Sequence, residues 1–246
     1  GNNVGVRYSL KKGADYIFIL NNDTVVHPKI LESFLKQSAS IQGAKAYLYG
    51  ERDRLDHLGG MWNVKKGSFD LVANRDLDKA EWKKPVKVDY VCGCGIFIKR
   101  EVFEKVGLFE PRFFLYWEES DLCFRARKRG YQILTCPQAI LWHKVARSFK
   151  GEKAHITYFW WRNRLLWIER NCSKKETLQL SLKVLLPETF HLIKLALIKT
   201  LELFFLKIFA KKNCSFEKKI KLKNYIASLM GIRDYLLRRF GKSPFF

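Results

Sequence analysis

Acidic side chains are scarce in this sequence. Its 246 residues carry 24 Asp and Glu against 46 Lys and Arg, a formal charge of +22 at pH 7. A balance that one-sided bears on partners (nucleic acid, an anionic membrane face or a phosphorylated substrate) and says nothing about fold. Proline and glycine are also few, at 6 and 15, and 48% of the chain is hydrophobic. That excludes a disordered, collagen-like or linker-dominated protein. Long apolar runs are missing too. The longest stretch without a charge, Tyr131–Trp142, is too short to span a bilayer. Six cysteines (Cys92, Cys94, Cys123, Cys136, Cys172 and Cys214) are too few for a disulfide scaffold, and no secretory signal is visible. Cys92-Gly93-Cys94 lacks a second close pair to complete a zinc site. Reduced, mostly buried thiols are the expectation.

What is present alternates between helix and strand. Val4, Tyr8 and Leu10 recur at helical spacing, and Lys11-Lys12-Gly13 is a stop. Tyr16–Leu20 is a continuous apolar run, read as a strand buried on both faces. It ends at Asn21-Asn22-Asp23-Thr24, and Pro28 then opens a helix reaching about Ala39. This pattern implies an α/β protein with a parallel sheet, whose ligands sit beyond the carboxyl ends of strands. Asn21-Asn22-Asp23 falls there. Residues 44–87 read as a variable, loop-rich surface with short strand-like pieces, turns and scattered charges. Tyr90–Ile98 is apolar around the glycines of Cys92-Gly93-Cys94-Gly95, a helix over 99–106 stops at Gly107, and a basic helix after Glu118 ends at Gly130. Tyr131–Thr135 and Ala139–Trp142 are strand-like pieces flanking Pro137, with His143 directly after. Past Glu169 the character changes: Lys174–Phe246 holds sixteen Lys and Arg against five Asp and Glu, half the net charge. Pro187-Glu188-Thr189 makes a first helical turn, and Leu192–Phe209 is almost all apolar. The expected organisation is a catalytic part over 1–170 and a helical, basic part over 171–246.

Three places can carry chemistry. A carboxylate at a strand tip, such as Asp23 beside Asn21 and Asn22, can ligate a hard divalent cation, although the same residues commonly cap helices or form Asx turns. Glu118, Glu119 and Asp121 repel one another unless a cation, a helix N-terminus or an arginine offsets them. Arg125 is spaced to pair with Asp121 on one helix face. A carboxylate left beside a like charge is poised to take up a proton, as a general base must; the bland alternative is the acidic first turn of an ordinary helix. The preceding Phe113–Trp117 supplies the apolar wall of a cleft. His143 is third. A lone histidine is usually structural, but paired with a carboxylate at another strand end it suits Mg²⁺ or Mn²⁺.

In order along the chain, Gly1-Asn2-Asn3-Val4-Gly5, Ala14-Asp15-Tyr16, Leu20-Asn21-Asn22-Asp23-Thr24, Cys92-Gly93-Cys94, Val106-Gly107-Leu108-Phe109, Tyr116-Trp117-Glu118-Glu119-Ser120-Asp121-Leu122-Cys123 and Trp142-His143-Lys144 resemble the family 2 glycosyltransferases of the GT-A fold, in their bacterial rhamnosyltransferase-like branch. The likeness covers about residues 1–170, with Tyr158–Arg164 fitting its end. It implies a Rossmann-like mixed sheet flanked by helices, and an inverting transferase. The sugar would pass from a dTDP- or UDP-linked donor to a hydroxyl of a glycan or lipid-linked acceptor in bacterial surface polysaccharide synthesis. Carried over residue by residue, it implies that Asp23 and His143 hold Mg²⁺ or Mn²⁺ on the donor diphosphate. Asn21, Asn22, Gly93, Cys94 and Arg125 would lie about the donor and Trp117 on the acceptor side. Glu119, standing where the family usually has Asp, would be the catalytic base, with Glu118 and Asp121 beside it. The family begins upstream of the Gly-Asn-Asn element, with a strand and helix that hold the nucleotide base. The resemblance therefore also implies a sheet without its first strands, and weak donor binding by these residues alone.

Two alternatives compete. Trp160-Trp161-Arg162-Asn163-Arg164 could stack nucleic-acid bases, but no nucleic-acid-binding signature accompanies it and half the charge is in one tail. No nucleic-acid partner is therefore expected. A catalytically inactive membrane-associated scaffold of the same fold is the other. Leu192–Phe209 is either a core helix or, with Lys211-Lys212 and Lys218-Lys219 just beyond, an interfacial helix on anionic lipid. The second reading places the protein peripherally on the inner face of the cytoplasmic membrane.

Overall fold

The computed structural model describes residues 1–51, 53–145, 154–209 and 216–245. Contacts divide the chain into two compact units, one of residues 1–63, 69–110 and 118–148 and the other of 64–68, 111–117 and 149–246.

The first unit runs α1 (Asn2–Lys11), β1 (Tyr16–Leu20), β2 (Thr24–Val26), α2 (Ile30–Leu35), β3 (Ile41–Leu48), β4 (Gly59–Asn63), β5 (Ser68–Val72), β6 (Gly95–Lys99), α3 (Arg100–Val106), α4 (Glu118–Lys128) and β7 (Ile133–His143). Five strands form one sheet in the order β1-β6-β3-β7-β2, and β4 with β5 forms a separate ribbon. Only β3 and β7 run parallel; the remaining pairs of the large sheet are antiparallel. The sheet is thus mixed, as the family resemblance implies, and not parallel as helix–strand alternation alone suggests. Side chains alternate between its faces. Ile17, Ile41, Ile96 and Ile98 pack with Val6 of α1, Phe103 of α3 and Leu122 of α4. Ala44, Ala46, Phe97 and Leu141 pack with Ile30 and Phe34 of α2, where the rings of Phe34 and Phe97 stack at 4.8 Å.

Three local expectations change. Tyr16–Leu20 pairs on one side only, and as an edge strand it leaves Tyr16 and Leu20 exposed. Residues 44–87 are not merely loops, because they contain most of the central strand β3. Its buried polar residues find partners for their donors: Lys45 Nζ donates to Asp78 Oδ1 at 2.9 Å, and Gln42 Nε2 to the carbonyls of Phe34 and Gln37. The pieces on either side of Pro137 are one strand. Register jumps from Ala44↔Cys136 to Lys45↔Ile140, a bulge at the residue that cannot donate to the ladder.

The second unit contains α5 (Ala154–Asn171), α6 (Lys174–Leu180), a π-helical turn over Ser181–Leu185, α7 (Leu186–Phe209) and α8 (Phe216–Leu236). Ser173 and Glu176 form a reciprocal capping box that starts α6. A Cβ on Gly231 of α8 would lie 2.4 Å from the Tyr158 carbonyl, so glycine permits α5 and α8 to approach this closely. Arg162, Asn163 and Arg164 are fully or almost fully buried and do not form a face for stacking bases. Arg164 donates to the carbonyls of Lys66 and Gly67. Asn163 Nδ2 donates to those of Phe113, Leu115 and Tyr116, and Arg162 to those of Arg112 and Phe113. These bonds hold a segment in which Phe114, Tyr116 and Trp117 all have positive φ (64°, 65° and 73°), a conformation side-chain-bearing residues seldom adopt.

Among the described residues no helix is long and apolar enough to cross a membrane. Cys92, Cys94, Cys123 and Cys136 are free and buried, and Cys172 is half-buried. Cys214 and Lys211-Lys212 lie outside the described residues.

Candidate functional site

The turn between β1 and β2 carries Asn21, Asn22 and Asp23. Its backbone is anchored by Asn21 N–H donating to the Cys94 carbonyl at 3.1 Å and by Lys144 N–H donating to that of Asp23 at 2.8 Å. Thr24 pairs with His143 in the β2–β7 ladder, which brings the imidazole to the acid: His143 Nε2 is 3.3 Å from Asp23 Oδ1. On the other side His143 Nδ1 is 2.8 Å from Asp56 Oδ2, and Asp56 is held by its own N–H on the Ala46 carbonyl. Burial works against charge on both partners. Even so, the hydrogen bond to His143 and the nearby His57 and Arg75 hold Asp56 below its ordinary value, and the bond to Asp56 raises His143. With Nδ1–H directed at Asp56, Nε2 offers a lone pair beside a carboxylate oxygen. That donor set suits Mg²⁺ or Mn²⁺, with Asp56 orienting the imidazole from behind. A cleft of about 240 Å³ adjoins it, lined by Leu48, Tyr49, Glu51, Arg75, His143 and Lys144.

Glu118 and Glu119 open α4, where the helix N-terminus favours negative charge. Even so, Oε2 of each is buried with no hydrogen-bond partner. Burial, then the neighbouring Glu118, pushes Glu119 up to about 8; burial also raises Glu118. Gly93 lies against this carboxyl, and a Cβ there would sit 3.1 Å from Glu119 Oε1.

A family model described as Glycosyltransferase like family 2 matches residues 6–155. The chain belongs to glycosyltransferase family 2. It is 26% identical to the dTDP-rhamnosyl transferase RfbF of Shigella flexneri over 148 residues, 58% of this chain and 47% of that one. It is 28% identical to the rhamnosyltransferase WbbL of Escherichia coli K12 over 149 residues, 55% of this chain and 56% of that one. The chain therefore spans about half the length of these relatives. A solved structure of GalNAc-T7 with UDP, GalNAc and Mn²⁺ is similar over 67% of this chain and 36% of that one, at 14% identity and a TM-score of 0.44.

In this family 2 chain the fold gathers Asp23 with His143, Asn21 with Cys94, and Gly93 with Glu119. Asn22 is exposed at the same turn. Asp121 and Arg125 are turned to each other. Arg125 Nε lies 2.8 Å from the buried Asp121 Oδ2, and its terminal nitrogens bond the carbonyls of Val106 and Leu108. Arg125, expected about the donor and spaced to pair with Asp121, makes that pair and fastens α4 to the end of α3. Trp117 belongs to the second unit, where its ring meets Trp160 and Trp167 at 6.4 and 6.1 Å. Asp56, His57 and Arg75 were missed. They lie in the segment read as loop, and the adjacent acid and histidine of Asp56-His57 were the one available signal.

Proposed function

We propose that this chain carries the donor-diphosphate and base functions of an inverting glycosyltransferase that moves a sugar from a dTDP- or UDP-linked donor to a hydroxyl of a glycan or lipid-linked acceptor. The observation that carries this reading is the pairing of Asp23 and His143 with a separate buried carboxyl, Glu119, that has an unpartnered oxygen. A divalent cation bound at Asp23 and His143 would supply positive charge to the diphosphate oxygens. Glu119 Oε2 accepts the proton of the acceptor hydroxyl, and a base with a value near 8 is suited to that transfer. The freed oxygen pair bonds the anomeric carbon from the face opposite the diphosphate, and the old carbon–oxygen pair departs with the nucleoside diphosphate. Lys144 and Arg75, lining the adjoining cleft, are placed to meet that charge. In a thermal-shift panel of nucleotide sugars, a dTDP- or UDP-sugar is expected to raise Tm only with Mn²⁺ or Mg²⁺, and Asp23→Ala should abolish the effect. Absence of any cation-dependent shift would overturn the assignment. Unaltered biological output from Asp23→Ala or Glu119→Ala would favour the scaffold reading.

We further propose peripheral association with the inner face of an anionic membrane. Leu182, Leu186, Phe190, Leu197, Leu201 and Phe204 are exposed along α7 and the turn before it, at spacings that keep them on one stripe. Lysines flank the stripe at Lys183 and Lys194. That combination suits a helix lying in a headgroup layer.

A further inference from the structure

Asp56-His57 and Cys92 come from segments that sequence spacing does not connect, yet one ligand atom from each lies within 4.8 Å of the others. Cys94 Sγ is 3.3 Å from Cys92 Sγ. We propose that this cluster is a second cation site, distinct from Asp23 and His143, for a thiophilic ion of the Zn²⁺ class.

The argument is one of donor chemistry. Thiolate and imidazole are the ligands Zn²⁺ favours, whereas Mg²⁺ and Mn²⁺ favour oxygen. Asp56, His57 and Cys92 supply oxygen, nitrogen and sulfur, and Cys94 is at hand as a fourth ligand for a tetrahedral set. Cys92-Gly93-Cys94 lacked a partner pair in the sequence, and the fold provides one from residues 56 and 57. Asp56 and Cys92 are buried, so a chelate formed here is shielded from water.

The site is coupled to its neighbour through one side chain. Asp56 also holds His143, so an ion that draws on Asp56 loosens the imidazole beside Asp23. Binding of Zn²⁺ and of Mn²⁺ should therefore be mutually antagonistic, each weakening the other by the same factor.

Co²⁺ added to the reduced protein is the test. Expected are a strong thiolate-to-cobalt charge-transfer band and tetrahedral visible bands, displaced by stoichiometric Zn²⁺, kept in Asp23→Ala and clearly reduced in intensity in Cys92→Ser. A weak octahedral spectrum, a band of unchanged intensity in Cys92→Ser, or loss of the band in Asp23→Ala would overturn the proposal. Should Cys92→Ser fail to fold, His57→Gln decides: Zn²⁺ affinity against a competing chelator should fall by about tenfold or more, and an unchanged affinity overturns the site. None of these readings requires sugar transfer, so their failure is separable from failure of the transferase assignment.

Discussion

The carboxylate of Asp56 lies 2.8 Å from Nδ1 of His143, and that contact decides which imidazole nitrogen faces Asp23. An amide at position 56 can donate to Nδ1 and so favour the opposite tautomer. Asp56→Asn is therefore expected to weaken Mn²⁺ binding by about 10- to 100-fold, measured by titration calorimetry. Unchanged affinity would reduce the contact to a structural one.

Glu119 gives a pH signature. Its value near 8 predicts that kcat/KM of the free enzyme rises with pH through about 8, and that Glu119→Gln lowers kcat by roughly 10²- to 10⁴-fold. Stability moves the opposite way. The folded chain holds this proton more tightly than the unfolded one, whose ordinary value is 4.5. The contribution is complete below about pH 4.5 and is lost as pH rises to about 8. Glu119→Gln should flatten that decline in a series of thermal melts.

Gly93→Ala tests the close approach of the Cys92–Gly95 segment to the base. The new methyl would meet Glu119 Oε1 at 3.1 Å, tight enough to move the carboxyl without breaking the core. The expected outcome is a reduced kcat with Tm nearly unchanged. Full activity would show that the position of Oε1 is not critical.

Asn163→Ala removes one side-chain nitrogen from three carbonyls, at 2.9, 2.7 and 2.8 Å. Leaving those acceptors without it should cost about 3 kcal/mol. It should also release the segment held at positive φ. The urea midpoint should fall at constant slope, and a variant as stable as wild type would contradict this account.

On α7, Phe190, Leu197 and Phe204 are 68%, 60% and 57% exposed. Leu197→Glu with Phe204→Glu should abolish flotation with anionic vesicles at low salt while leaving the melting curve unchanged. Equal flotation of the double variant would remove this stripe from the membrane proposal.

Much of this arrangement was legible in contiguous residues. Asn21-Asn22-Asp23, Glu118-Glu119 and Trp142-His143 each sit at the end or start of an element that hydrophobic pattern and turn residues mark. Asp56 was not legible, because its role comes from pairing with a strand end that is distant in the chain. Central strand β3 was hidden for a related reason. Lys45 and Gln42 break its apolar pattern, and the hydrogen-bond acceptors that meet them, the Asp78 carboxylate and the Phe34 carbonyl, come from other parts of the chain. Arg125 was legible in part: its spacing predicted the pair with Asp121, whereas its bonds to the Val106 and Leu108 carbonyls join segments that spacing does not connect.

The bulge at Pro137 has a consequence for insertions and deletions. In a strand, a shift of one residue sends every later side chain to the opposite face. Removing a single residue between Cys136 and Ile140 without re-forming the bulge would bring Lys144 into register where His143 now stands and turn the imidazole away from both Asp23 and Asp56. Homologous chains that keep this histidine in use should therefore keep its register with β2 and β3 unchanged, with any change of length confined to the bulge itself.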